Sequence, residues 1–232
     1  MTRKSSPLTD LQLSIVIPSI IFMKFSGDAD LGARGALILA LAFPVALGLY
    51  ELFRFRATNY IAVLGLISVL LTGGIGLLKL DTQWLAVKEA AIPAVLGIAV
   101  LVSIQLRRPL IKLLMYNPKI FDTEKITGIL NERGHLETFD NRLLNATYLL
   151  SATFFFSAVM NYLLATWIVT SPSGSAAFNE ELGQLTLISY PVIAIPSMVM
   201  MLLIFYFLWR STHTLTGLKL EEMLAPSLSD DK

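Results

Sequence analysis

Leu182 to Trp209 is a run of 28 residues without a single charge. At 1.5 Å per residue, a helix of that length is long enough to cross the ~30 Å hydrocarbon core of a bilayer. Two adjacent carboxylates, Glu180 and Glu181, stand in front of the run, and Thr186, Ser189, Tyr190, Pro191 and Pro196 lie inside it. Polar groups and prolines are costly against lipid, so they point to surfaces covered by protein or lining a water-filled cavity.

Five more uncharged runs precede this one: 11–23, 35–50, 57–78, 90–106 and 143–179. Only 15% of the 232 residues are charged, against about 25% in soluble domains. The last long run is divided by Ser171-Pro172-Ser173-Gly174-Ser175, whose Pro and Gly mark a short hairpin. The expected fold is all-α, a polytopic membrane helix bundle with six transmembrane helices. Its spans fall at about 11–26, 33–53, 59–78, 86–106, 145–169 and 186–209. Residues 1–222 form a single integral membrane domain, 107–142 its one sizeable loop, and 223–232 an acidic, disordered tail.

The first span is short and interrupted by Pro18. Arg3 and Lys4 precede it, as in a signal peptide, but Lys24-Phe25-Ser26-Gly27-Asp28-Ala29 offers no small-x-small cleavage site. A helix ending at Lys24, with the lysine stem snorkelling to the interface, suits the residues better. With the N-terminus inside, 14 Lys and Arg fall on the cytoplasmic side and only Lys24, Arg34, Lys79 and Lys88 on the exterior. The positive-inside rule then makes both termini cytoplasmic and puts Glu180 and Glu181 outside.

In the loop, Arg107, Arg108 and Lys112 interleave with Leu110, Ile111, Leu113 and Leu114, the pattern of an interfacial elbow on anionic head groups. Asp122 is placed to cap a short helix in which Ile126, Ile129 and Leu130 share a face and which Gly134 ends. Leu136, Phe139 and Leu143 form a second amphipathic turn leading into the fifth span. The loop reads as a surface-lying connector, or alternatively as a docking site for a partner.

Thr72-Gly73-Gly74-Ile75-Gly76 lies inside an apolar span with no P-loop lysine, so it is no nucleotide loop. Ser68, Thr72 and Gly76 instead repeat every four residues, the small-xxx-small spacing that lets membrane helices approach. Thr153, Ser157, Asn161 and Ala165 repeat likewise and form a stripe that should face the bundle interior, as interhelical glue or as a polar path. Ile17-Pro18-Ser19 and Ile195-Pro196-Ser197 look alike near mid-membrane, with Ile92-Pro93-Ala94 a weaker echo. Such pairs mark inverted repeats in some transporters, although proline is common in membrane helices. Asn145-Ala146-Thr147 matches a glycosylation sequon but falls on the cytoplasmic side of this topology.

The only histidines, His135 and His213, lie outside any metal spacing, and the chain has no cysteine. No Ser, His and Asp set assembles, so no catalytic residue, metal or cofactor is expected. A net charge of +1 gives no basic field for nucleic acid. Two groups of candidate site residues remain. Ser19, Ser68, Thr72, Thr153, Ser157, Asn161 and Ser197 would form a polar interior or transport path. Lys24, Lys88, Glu89, Glu180 and Glu181 would form an exterior charge cluster, in which each lysine at the hydrocarbon edge seeks a carboxylate.

Asp81-x-x-Trp84-Leu85-Ala86-x-Lys88-Glu89-Ala90-Ala91-Ile92-Pro93, FNEELG (178–183) and SYPVIAIPSM (189–198) carry a family likeness. Over about Leu11 to Glu222 the chain resembles an uncharacterised family of bacterial inner-membrane proteins, loosely labelled facilitator-superfamily transporters. That family is similar to the intracellular septation protein A family of envelope proteins. The resemblance implies a multi-pass protein of the inner membrane and supplies no catalytic residues. Facilitator transporters use about twelve spans, twice the number here. Two functions follow: a non-enzymatic envelope scaffold or assembly factor, or a small-solute or ion transporter with a midplane polar site. The partners expected are the lipid bilayer and either other envelope proteins or further copies of the chain.

Overall fold

The computed structural model describes residues 16–55, 60–106, 109–115 and 121–224. Among them the protein is all-helical, and its one β feature is an isolated antiparallel bridge between Phe121 and Leu224. The helices are α1 (Ile17–Lys24), α2 (Gly32–Phe55), α3 (Tyr60–Leu77), α4 (Gln83–Gln105), α5 (Leu110–Met115), α6 (Thr123–Glu132), α7 (Leu136–Ile168), α8 (Ala176–Ser189), α9 (Ile195–Thr216) and α10 (Leu220–Met223). A π-helical turn, Tyr190–Ala194, joins α8 to α9, so the chain stays helical from Ala176 to Thr216.

Local chemistry explains the ends. Pro18 occupies the first turn of α1, where its missing N–H breaks no helical bond. The Asp122 carboxylate accepts from Lys125 N–H at 3.1 Å and starts α6. Gly134, at φ +68°, ends it: His135 N–H reaches Leu130 O at 2.8 Å and Gly134 N–H reaches Asn131 O at 3.1 Å, the paired bonds of a Schellman stop. The Ser171–Ser175 hairpin is present, and the Ser175 hydroxyl caps α8 by accepting from Phe178 N–H. Pro191 and Pro196 do not break the last long helix; the wider π turn absorbs them.

Among the described residues, three stretches are long and apolar enough to cross a membrane: α4, α7 and the continuous Ala176–Thr216 helix. The described parts of α2 and α3, Gly32–Ala46 and Ile67–Leu77, are apolar too. In the Ala176–Thr216 helix, the most apolar window is only 11% buried by protein. Its uncovered side carries Met198, Val199, Leu202, Leu203 and Phe205. An apolar face of that extent needs lipid or another protein against it. On α7 the exposed aromatics Tyr148 and Trp167 stand 19 residues apart, about 28 Å along a helix, the spacing of two interfacial belts.

Helix bounds depart from the expected spans in two places. α7 begins at Leu136 instead of 145, because no Gly or Pro interrupts the chain between the amphipathic turn and the apolar run. The last helix begins at Ala176 instead of 186, because Ser175 caps it ten residues earlier. Of the expected first span, 11–15 lies outside the described residues and α1 occupies the rest to Lys24.

The chain divides into two compact units, residues 1–91 with 159–194 and residues 92–158 with 195–232. The first has a core of Phe22, Leu37, Leu85, Leu164, Phe178 and Leu182 with their neighbours. Gly183 lets α8 approach α1 closely: a Cβ there would meet Ser19 O at 2.9 Å. Gly76 does the same for α3 against α2, since a Cβ would meet Leu37 Cδ2 at 2.6 Å.

The second unit corrects the reading of the loop and the tail. Ile111, Ile126, Leu130, Phe139 and Leu143 are buried in one core with Ile204, Leu215 and Met223. These side chains of the expected loop therefore pack within the protein, while Arg107 and Arg108 of the expected elbow lie outside the described residues. The tail is ordered as far as Leu224. The Glu222 carboxylate accepts from Lys219 N–H at 2.7 Å, Asp122 N–H donates to Met223 O at 2.8 Å, and Met223 is 1% exposed. One buried methionine anchors an acidic segment whose composition alone suggests disorder. The expected tail beyond it, 225–232, lies outside the described residues.

Candidate functional site

Lys88 enters the protein in the second turn of α4, where a free ammonium would be costly. It is 8% exposed, and its Nζ donates to Glu89 Oε1 at 2.6 Å and to Thr72 Oγ1 at 2.7 Å. Thr72 in turn donates to Ser68 O at 3.1 Å. The small-residue register of α3 thus presents a hydroxyl to the one lysine of α4. Four predicted residues, Ser68, Thr72, Lys88 and Glu89, come together in this relay.

The rest of the expected exterior cluster separates. Glu181 serves the hairpin: its carboxylate accepts from the N–H groups of Thr170 (3.0 Å) and Ser171 (2.9 Å) and from the Ser171 hydroxyl (2.7 Å). Thr170 Oγ1 adds a longer bond of 3.3 Å. This brace holds the end of α7 to the second turn of α8. Glu180 is exposed and meets only Gln184 Nε2, at 3.4 Å. Lys24 is exposed and belongs to neither ion pair among the described residues, Lys88–Glu89 and the loose, exposed Lys112–Asp140.

The polar candidates divide between the units. Ser19, Ser68, Thr72 and Asn161 belong to the first, and Thr153, Ser157 and Ser197 to the second. Ser19 is fully buried at the α1–α8 crossing, and its hydroxyl has no hydrogen-bond partner. The Ser197 hydroxyl is also covered and unpartnered. Thr153 is buried and returns its proton to Leu149 O at 3.0 Å, within its own helix. Ser157 and Asn161 are half-buried.

Two residues that sequence reasoning passed over bind the units internally. Asn179 is 0% exposed; its Nδ2 donates to Ala33 O at 2.7 Å and Ser26 Oγ at 3.1 Å. Ser26 donates onward to Phe22 O. One amide thus ties α8 to the end of α1 and the start of α2. In the second unit Ser151 donates to Gly97 O at 3.0 Å, a direct bond between α7 and α4. Asn179 carried a signal, as an amide beside apolar Phe178 on the helix face that also holds Leu182. Its partner, 153 residues earlier, left none.

No group of three His, Asp or Glu residues suited to a metal occurs among the described residues. His213 Nδ1 lies 2.7 Å from Leu218 O and its ring stacks on Trp209, a structural placement. The arrangement neutralises charge and joins helices.

These features define an all-helical protein with three helices suited by length and composition to a membrane. No protein-family model, curated protein or solved structure matches the chain.

Proposed function

We propose that the chain is a multi-pass protein of the bacterial inner membrane, with six spans and both termini cytoplasmic, acting as an envelope scaffold or assembly factor. The observation that carries this reading is how the polar groups of its apolar helices are used. Lys88 is neutralised by Glu89 and Thr72, Asn179 links three helices, and Ser151 bonds Gly97. Thr186 and Ser189 return their protons to Leu182 O and Leu185 O. Groups spent on neighbours hold a packed body together and are not held open for a solute. The 14-to-4 charge asymmetry and the likeness to septation-protein relatives support the orientation and the setting. Its partners on this reading are the bilayer and envelope proteins or further copies of itself.

Transport of a small solute or ion is the second reading. The unpartnered hydroxyls of Ser19 and Ser197, each one residue after a proline, favour it. Liposomes containing the purified chain decide between the two. A scaffold leaves imposed proton, sodium and potassium gradients intact, and a photo-reactive residue at Leu203 or Trp167 gives discrete protein adducts in cells. Chain-dependent collapse of a gradient, abolished by Ser197→Leu, would establish transport instead.

A further inference from the structure

The second unit contains a partly open apolar pocket of about 280 Å³ between the Arg210 end of α9 and the helices packed beside it. Phe139, Leu143, Phe205, Tyr206, Trp209 and Met223 are among its walls. Water finds almost nothing to bind there. Thr212 is its one hydroxyl besides Tyr206, and it already donates to Leu208 O at 2.9 Å. Tyr206 OH accepts from Arg210 Nη1 at 3.3 Å. An ordered water needs two to four polar partners, so these walls suit an apolar group better than water.

The position of the cavity says which occupant. Its α9 wall, 205–212, straddles the point where 28 uncharged residues end at Trp209 and the first charge, Arg210, appears. In a membrane-spanning helix, that point is where hydrocarbon meets head groups. Tyr206, Trp209 and His213 form an aromatic ladder there, with Tyr206–Trp209 and Trp209–His213 centroids 5.7 and 5.9 Å apart. No carboxylate is among the residues that line the cavity. The volume lies just below the ~300 Å³ at which small-molecule sites begin, which suits a slender chain better than a ring system.

We propose that this cavity holds one acyl chain of a phospholipid, whose phosphate lies against Arg210. The site is independent of whether the protein scaffolds or transports. An anionic head group, with no ammonium to compete with the arginine for its phosphate, binds better than a zwitterionic one.

The test is native mass spectrometry of the full chain, released from detergent after titration with phosphatidylglycerol or phosphatidylcholine. The wild type should keep one phospholipid after the others are stripped, with at least a fivefold preference for phosphatidylglycerol. Leu208→Phe and Thr212→Leu each fill part of the cavity and should lower that occupancy at least fivefold while thermal stability holds or rises. Arg210→Gln should keep the adduct and lose the head-group preference. Two filling variants are specified because either alone could fail to fold. The proposal is overturned if the wild type retains only detergent, if its lipid adducts follow a random distribution, or if a folded filling variant keeps the lipid in full.

Discussion

Gly183→Ala tests the closest helix approach in the first unit, and the structure gives the sign of its effect. A Cβ at Gly183 would stand 2.7 Å from Met23 Cγ, 2.9 Å from Ser19 O and 3.3 Å from Phe22 Cβ. The methionine can turn away. The Ser19 carbonyl is helix backbone, so α1 itself must shift. Overpacking of this kind costs about 1–3 kcal/mol, while Ala in place of Gly inside a helix gains about 0.8–1.0 kcal/mol. The net expectation is a loss of about 1 kcal/mol. Gly128 supplies the control, since it lies exposed within α6 with nothing within 4 Å of the new Cβ. There the propensity gain stands alone, and Gly128→Ala should stabilise by up to about 1 kcal/mol.

The two variants differ from wild type by the same methyl group and should move in opposite directions. Equilibrium unfolding in mixed micelles with increasing sodium dodecyl sulfate, followed by tryptophan fluorescence, reads both. If Gly183→Ala stabilises as Gly128→Ala does, α8 has no backbone against it, and the α1–α8 crossing is wrong. The same result is expected if the first helix were removed as a signal peptide. The experiment therefore also tests whether α1 belongs to the folded body.

Three further outcomes follow from the geometry. Lys88→Met leaves Glu89 without its cation and should cost about 1–3 kcal/mol; Lys88→Met with Glu89→Gln should recover at least half of that, a coupling the same titration measures. Met223→Ala removes a buried anchor and should cost about 2 kcal/mol or more, with earlier proteolysis after Lys219 in a time course. For topology, single cysteines at Asp28, Thr82 and Thr170 should label from outside intact cells, and those at Thr58, Thr127 and Ser227 only after the membrane is opened. Thr170 is the hairpin probe because it is exposed, whereas Ser173 is buried; labelling of Thr127 from outside would reverse the orientation.

What the sequence made legible was written locally. Asp122 and Gly134 bracket a helix because a cap and a left-handed stop act within four residues of where they stand. The Ser171–Ser175 hairpin follows from its proline and glycine in the same way. Charge was a poorer guide to helix ends. Glu180 and Glu181 interrupt the apolar runs, yet they lie inside α8, because Ser175 caps that helix ahead of them. Glu181 then found partners in Thr170 and Ser171, eleven and ten residues back across the turn. Asn179 and Met223 were missed because each acts over distance, one with Ser26 and Ala33 and the other beneath α6.

The two Ile-Pro-Ser sequences share more than three letters. Pro18 and Pro196 are each the second residue of an α-helix, and the π-helical turn Tyr190–Ala194 precedes the second of these helices. A proline so placed donates no N–H to the turn before it, and at Pro196 the wider π turn accommodates the ring. Backbone geometry then sets the serine that follows. Ser189, Thr186 and Thr153 all bond a carbonyl four residues back, but Ser19 and Ser197 do not, and both hydroxyls are left covered and unpartnered. A covered hydroxyl without a partner is a cost that packing alone gives no reason to keep twice. The two units thus share a proline and then a serine in the first turn of an α-helix. That pair of hydroxyls, and not the polar stripe on α7, is where the packed reading of this protein is under most strain.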